Sequence, residues 1–341
     1  MATATREQKA PPATEEKLYR VALREALAEE MERDESIFLI GEDIGKFGGA
    51  YRVTEGLLDR FGPQRVVDAP IAEEVIVGTA IGAAMLGLRP VVELMTINFS
   101  LVAYDQIVNN AAKIRYMFGG EVKVPMVIRM PGGAGHQLSA QHSHSFEVLY
   151  GLIPGLLTVA PTTPEDAKGM LKSAVRGDNP VMFLESMSLY NVRGIVPAGD
   201  YTVPLGKAAV RRTGSDVTVI GVSRMSVLAN EAAKQLEEDD IDAEVIDLRS
   251  IRPIDWDPIV ESVKKTSRCV VVEEGWSTYG VSAEITAGVQ ERCFDYLDAP
   301  VRRLGGEQVP MPYNQSLEKA SIPTAEDIKR LVRATLGKKV D

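Results

Sequence analysis

Two cysteines, Cys269 and Cys293, are all that 341 residues contain, which excludes a disulfide framework and a cysteine-rich zinc site. Histidine is as scarce: there are three, at 136, 142 and 144. Positive charge is in deficit, with 38 Lys+Arg against 48 Asp+Glu and a net charge of −10. With no basic stripe either, the chain is not expected to bind nucleic acid. Long apolar runs are missing too. The longest uncharged apolar stretch, residues 75–88, has 14 residues, where a bilayer span takes roughly 20. Its small residues suit a buried, tightly packed helix instead, and no membrane span is expected. Residues 1–13 are polar, carry Pro11-Pro12 and lack the apolar core of a signal peptide, so 1–14 reads as a disordered lead-in. The G-x-G-x-x-G, P-loop and G-x-S-x-G signatures do not occur. What is present is the balance of a soluble, cytoplasmic-type globular protein, 45% apolar and 25% charged, long enough for two or three domains.

Helical and extended patterns alternate along the chain. Thr14 is a candidate N-cap for a helix reaching Asp34, with Leu18, Val21, Ala22, Ala26 and Leu27 as its apolar stripe. Strands are expected at 37–41, 65–68, 89–94, 124–130 and 180–185, and helices at 73–87, 100–118 and 164–176. Residues 186–206 break into prolines, glycines and tyrosines, the composition of a linker. A second alternating unit follows, with strands at 216–222, 243–248 and 269–274 and helices at 226–238, 258–266 and 281–292. Strands separated by helices imply parallel sheets covered by helices. The fold class is therefore α/β, with two tandem open parallel-sheet domains at 15–190 and 207–341 joined by a linker at 191–206.

Two segments carry chemistry. In Asp68-Ala-Pro-Ile-Ala-Glu73-Glu74 a strand and a proline lead to carboxylates at the mouth of an apolar helix. Such acids either complement the helix dipole or, facing apolar surroundings, sit poorly solvated with a raised pKa, as proton-transferring acids do. The second segment holds His136, His142 and His144. No carboxylate closer than Glu147 is available to complete a four-ligand zinc set. An acid/base or hydrogen-bonding histidine remains open for this loop, while His136 and His144 read as solvated residues. Gly132-Gly133-Ala134-Gly135 reads as a flexible loop after its strand.

GEDIGKFGGAYRVTEGL (41–57), DAPIAE (68–73), GAAMLGLRPVVELM (82–95), INFSLVAYDQI (97–107), AQHS (140–143), DAKGMLKSAVRGDNPVMFLE (166–185), LRSIRPID (248–255) and LGGEQVPMPY (304–313) follow one another in order. Together they resemble the beta subunit of the 2-oxoacid dehydrogenase first component, nearest to the pyruvate dehydrogenase kind, from about residue 16 to the C-terminus. This family is thiamine diphosphate-dependent and transketolase-like, with a pyrimidine-binding domain followed by a transketolase C-terminal domain.

The resemblance implies that Glu73, rather than Glu74, hydrogen-bonds N1′ of the cofactor's aminopyrimidine and favours its imino form. It makes His142 the histidine on the substrate side, stabilising or protonating the intermediate and assisting acyl transfer to a lipoyl group. Ile71 and Phe99 fall where the family flanks the pyrimidine ring. A structural potassium ion is implied at Met126, Ala174, Val175, Gly177 and Asn179, mostly through backbone carbonyls, with Gly177 departing from an aspartate found in some relatives.

The family holds diphosphate and Mg²⁺ with Gly-Asp-Gly and a downstream Asn. No Gly-Asp-Gly occurs in this chain. Half an active site is therefore expected here, completed by an alpha subunit in a heterotetramer that docks on a lipoyl-bearing dihydrolipoamide acetyltransferase core. The implied reaction is oxidative decarboxylation of pyruvate with acetylation of the lipoyl group, feeding acetyl-CoA synthesis after glycolysis. Acetoin or branched-chain 2-oxo acids are alternative substrates. A non-catalytic assembly role and a self-sufficient transketolase-like enzyme are the alternative functions.

Overall fold

In chain order the strands are β1 (Thr14–Leu18), β2 (Ile37–Gly41), β3 (Val66–Asp68), β4 (Arg89–Glu93), β5 (Val127–Gly132), β6 (Leu157–Val159), β7 (Val181–Ser186), β8 (Arg193–Pro197), β9 (Ala209–Arg212), β10 (Val217–Gly221), β11 (Ala243–Asp247), β12 (Ser250–Arg252), β13 (Cys269–Trp276) and β14 (Arg302–Gly306). They come from a computed structural model that describes residues 13–339. The lead-in expected over 1–14 lies outside the described residues for 1–12. At Thr14 the expectation fails: residues 14–18 form β1, paired antiparallel with β8, and the helix starts only at Tyr19. A ladder to a strand about 180 residues away outweighs the local capping signal, because strand formation is set by tertiary pairing. The same ladder places a strand inside the stretch 186–206, where the sequence suggested only a connection.

A seven-stranded sheet, order β12-β6-β7-β5-β4-β2-β3, and a five-stranded sheet, order β14-β13-β10-β11-β9, form the two layers of strands. Both are parallel except for one antiparallel edge strand each, β12 and β9. The chain halves are interlocked, since β12 follows the second sheet's β11 yet pairs with β6 of the first. One apolar cluster spans both sheets, from Ile128 and Met130 to Ile220, Ile246 and Ile285. The helices Tyr19–Arg33 and Pro164–Arg176 cover the other face of the first sheet. Thr163 opens the second of these, its hydroxyl accepting from Asp166 N, with proline at the first position where a missing N–H costs nothing. Cys269 and Cys293 are buried free thiols. Among the described residues no helix is long and apolar enough to cross a membrane.

The helix expected over 100–118 is three short pieces: a 3₁₀ turn Ile97–Leu101, a π-helical turn Gln106–Ala111 and an α turn Ile114–Met117. The π turn places Gln106 against Gly78 of the neighbouring helix Glu73–Met85, 3.6 Å from where a Cβ would stand. Insertions of this kind re-aim side chains near functional sites.

Arg129, at 1% exposure, is the largest buried side chain. It makes a fork of two bonds to Glu185, at 2.7 and 2.8 Å, and a third to Glu93; Tyr190 also donates to Glu185 at 2.6 Å. These groups tie β4, β5 and β7 together near their carboxyl ends. Burial, before the neighbouring charges, pushes the Glu93 carboxyl up. Arg129→Met should strand two buried carboxylates and lower stability by about 3–5 kcal/mol. Denaturant unfolding measures this, and a loss below about 1 kcal/mol would contradict the network's role.

Candidate active site

The first sheet changes winding direction at β2: β3 lies on one side of it and β4 on the other. Open α/β sheets take ligands in the crevice beyond the carboxyl ends of strands at such a switch point. Glu42 follows β2 directly, and Ala69 N bonds back to Gly41 O at 2.8 Å. The Asp68 carboxylate accepts from Gly45 N and Lys46 N, which pins the loop after β2 to the end of β3. The chain then turns through Pro70 into the helix Glu73–Met85, whose N-cap Ala72 offers no side-chain acceptor.

Glu73, at 6% exposure, is buried at the first position of that helix, and no described group hydrogen-bonds its carboxylate. Glu74 beside it is exposed. Glu42 is buried as well, and its Oε1 has no partner among the described residues. Its carboxyl is pushed up by burial and then by the charges of Glu73 and Asp43. The sequence shows Glu42 only as an acid after a strand; its companionship with Glu73 depends on β2 and β3 being neighbours. Ile71 stands 81% exposed just ahead of Glu73.

Phe99, on the 3₁₀ turn after β4, meets His142 edge to face, with ring centroids 5.2 Å apart and planes at 89°. Both are half-buried. The structure therefore brings Phe99 and His142 into contact and sets Glu73 beside Glu42 on the same edge of the sheet. Thr96 Oγ1, Asn98 Oδ1 and Ser143 Oγ, neighbours of this pair, are buried without partners among the described residues.

His136 is exposed, as expected. His144 is not a solvated residue: its Nδ1 meets the Asn98 side chain at 2.5 Å, and its ring stacks on Phe146 and meets the edge of Trp276. Burial lowers its pKa. Sequence spacing could not show this, because Trp276 comes from the second sheet. Glu147, close by, is pushed up to about 8 by burial, with the Glu274 and Glu273 charges adding.

The glycine cluster at 132–135 also differs from a free loop. A Cβ on Gly133 would stand 2.7 Å from Glu274 Oε1, and its φ of +90° is one that glycine adopts without strain.

Met126 lies at the opposite edge of the sheet just before β5, Ala174 and Val175 are in the last turn of the helix Pro164–Arg176, and Gly177 and Asn179 follow that helix before β7. Neutral oxygens of this sort are the donors a potassium ion takes. Here the Arg89 guanidinium already donates to Val175 O at 3.1 Å and to Gly177 O at 2.7 Å. Arg115 donates to the Asn179 side chain. At Val175 and Gly177, two of the five positions, the carbonyls are thus already taken by a guanidinium, whose charge disfavours a second cation there.

The helix Glu73–Met85 is buried on one side only, through Ile76, Val77, Ala80, Ile81 and Ala84. Val75, Met85, Leu86 and Leu88 are exposed, against the expectation of a fully packed helix, as are Leu101 and Val102 on the adjoining turn.

Residues 15–193 match the family model "Transketolase, pyrimidine binding domain", and 206–328 match "Transketolase, C-terminal domain". The chain is 49% identical over 314 residues to the pyruvate dehydrogenase E1 component subunit beta of Rickettsia felis, covering 92% of this chain and 96% of that protein. It is 49% identical over 323 residues to the mitochondrial counterpart of Caenorhabditis elegans, covering 93% and 92% respectively. A solved structure described as "Split gene transketolase, inactive beta4 tetramer" superposes with a TM-score of 0.78 at 25% identity, covering 94% of this chain and 98% of that one.

Proposed function

The chain belongs to the family of pyruvate dehydrogenase E1 component beta subunits, and from that premise we propose how its residues divide the work of that thiamine diphosphate-dependent enzyme. The observation that carries the reading is Glu73, a buried residue whose carboxylate has no described protein partner, at the switch point of the first sheet, with the Phe99–His142 pair following β4 on the other side of β2. These residues fit the aminopyrimidine half of the cofactor: a carboxylate free to hydrogen-bond one ring nitrogen, and apolar side chains, Ile71 and Phe99, to take the ring faces. Thiamine diphosphate, when bound, supplies the nucleophilic carbon and the electron sink for decarboxylation.

Glu73 holds a proton at N1′, with no described protein donor competing for its carboxylate. The charge of Glu73 adds to burial in raising the cost of ionising Glu42. His142 acts on the acyl side, holding or moving a proton as the acetyl group passes to a lipoyl sulfur, and the edge of Phe99 fixes the plane of its ring.

Diphosphate and Mg²⁺ belong, in this proposal, to an alpha subunit, because the Gly-Asp-Gly motif is missing here. Two chains of each kind form the heterotetramer, which serves a lipoyl-bearing acetyltransferase core. Co-purification of the tagged chain and assay of the resulting complex with pyruvate, acetoin and 2-oxoisovalerate tests the reading. Pyruvate is expected to be turned over at least about tenfold more efficiently than the others, a gap of about 1.4 kcal/mol in transition-state binding. Preference for either rival would reassign the substrate.

A further inference from the structure

The second sheet also changes winding direction, between β10 and β13, and so has a crevice of its own. The loop carrying His142 is seated in it. Glu274 of β13 accepts from Ala134 N at 2.5 Å and from Ser145 Oγ at 3.4 Å, holding both ends of the loop at once. Arg224, three residues past β10, pairs with Glu274 at 3.1 Å and donates to Ala134 O at 3.2 Å. A second carboxylate, Glu318, reaches in from the short helix Gln315–Ala320. It is 2% exposed and accepts from Gly135 N at 3.0 Å and from Gln137 N at 3.0 and 3.2 Å.

The bonds to Glu318 fall on a strained stretch. Gly133, Gly135, Gln137 and Ser139 all have positive φ, +57° at Gln137 and +68° at Ser139, where non-glycine residues are disfavoured. His142 N then closes the turn onto Ser139 O at 3.3 Å. A run of alternate left-handed residues persists only where its surroundings over-determine it. Glu318 meets it at two of these positions, and Phe99 meets its far end at His142.

We propose that Glu318 is a positioning residue for His142: the carboxylate of the C-terminal half sets the left-handed turn at 135–139 and so the placement of the imidazole used in acyl transfer. Glu274 anchors the base of the loop, while Glu318 determines its course. The inference rests on the acyl-transfer reading of His142.

The test is a double-mutant cycle in the complex with the alpha subunit, read in two assays. One follows acetylation of a lipoyl domain; the other follows pyruvate decarboxylation with ferricyanide as oxidant. Glu318→Ala should slow lipoyl acetylation about ten- to a hundred-fold, as displacement of a reacting group by about 1 Å does, with the ferricyanide rate and the KM for pyruvate changed less than about threefold. Added to His142→Ala it should cost nothing further, because a residue acting through His142 has nothing left to position. Additive losses, or equal losses in both assays, would show a merely structural role and overturn the inference. If His142→Ala alone leaves acetylation unchanged, it is the underlying reading of His142 that fails. Should Glu318→Ala not assemble, Glu318→Asp, which keeps the charge and shortens its reach, takes its place in the cycle: a selective, non-additive loss supports the positioning role, and an additive or unselective one overturns it.

Discussion

Glu73→Gln should lower pyruvate turnover of the assembled enzyme by about 10²- to 10⁴-fold, the range lost when a positioned proton-holding group is removed, with fold and assembly unchanged. The substitution is isosteric, and the side chain makes no hydrogen bond that the fold depends on. It also removes one of the charges that push the Glu42 carboxyl up, so stability should hold or rise slightly. An amide at N1′ can still donate or accept a hydrogen bond, but it no longer offers the charge that stabilises a protonated ring nitrogen. The loss should therefore fall on kcat and less on the cofactor's affinity. Steady-state kinetics beside circular dichroism and gel filtration separates these effects. Turnover within about threefold of the parent would remove Glu73 from the chemistry.

Much of this site can be read in the sequence because its parts are local. Glu73, the strand before it and the helix after it lie within about 20 residues, and the strand Ile37–Gly41 and helix Pro164–Arg176 stand where their patterns place them. What escapes depends on contacts between distant segments. β1 is a strand only because β8 lies beside it. The three-residue strands β6 and β12 are too short to show a period. Arg129 had a visible signal, a lone charge inside the apolar run VIRMP, yet its partners Glu93 and Glu185 are fixed by register across three strands. Glu274 and Glu318 are 132 and 176 residues from His142, and nothing in their own neighbourhoods marks them as holding its loop. His144 read as solvated for the same reason: the Trp276 it packs on belongs to the other sheet.

The isolated chain should show no pyruvate turnover, and Val102→Asp should keep it in that state even when the alpha subunit is present. Chemistry supports the first outcome: Glu73, the carboxylate proposed for the pyrimidine, is here, while the diphosphate motif is not. The surface supports the second independently. Gln106 packs on Gly78, so the helix Glu73–Met85 and the segment 97–111 lie side by side. Val75, Met85, Leu86, Leu101 and Val102 are exposed on these two segments, and Ile71 is exposed just ahead of the helix. A monomer gains nothing by presenting apolar side chains to water beside the acid proposed for its chemistry. A partner seated there would close the crevice and bring its diphosphate-binding half against the pyrimidine-binding half. An aspartate at 102 would be desolvated on docking without a counter-charge, at a cost of about 3 kcal/mol or more, equivalent to at least about a hundredfold in affinity. Because residue 102 is exposed in the free chain, the variant should fold normally by circular dichroism. Pull-down with the tagged alpha subunit, followed by assay of the eluate, reads both effects. Full assembly and activity of Val102→Asp would move the interface elsewhere, and turnover by the chain alone would end the half-site reading.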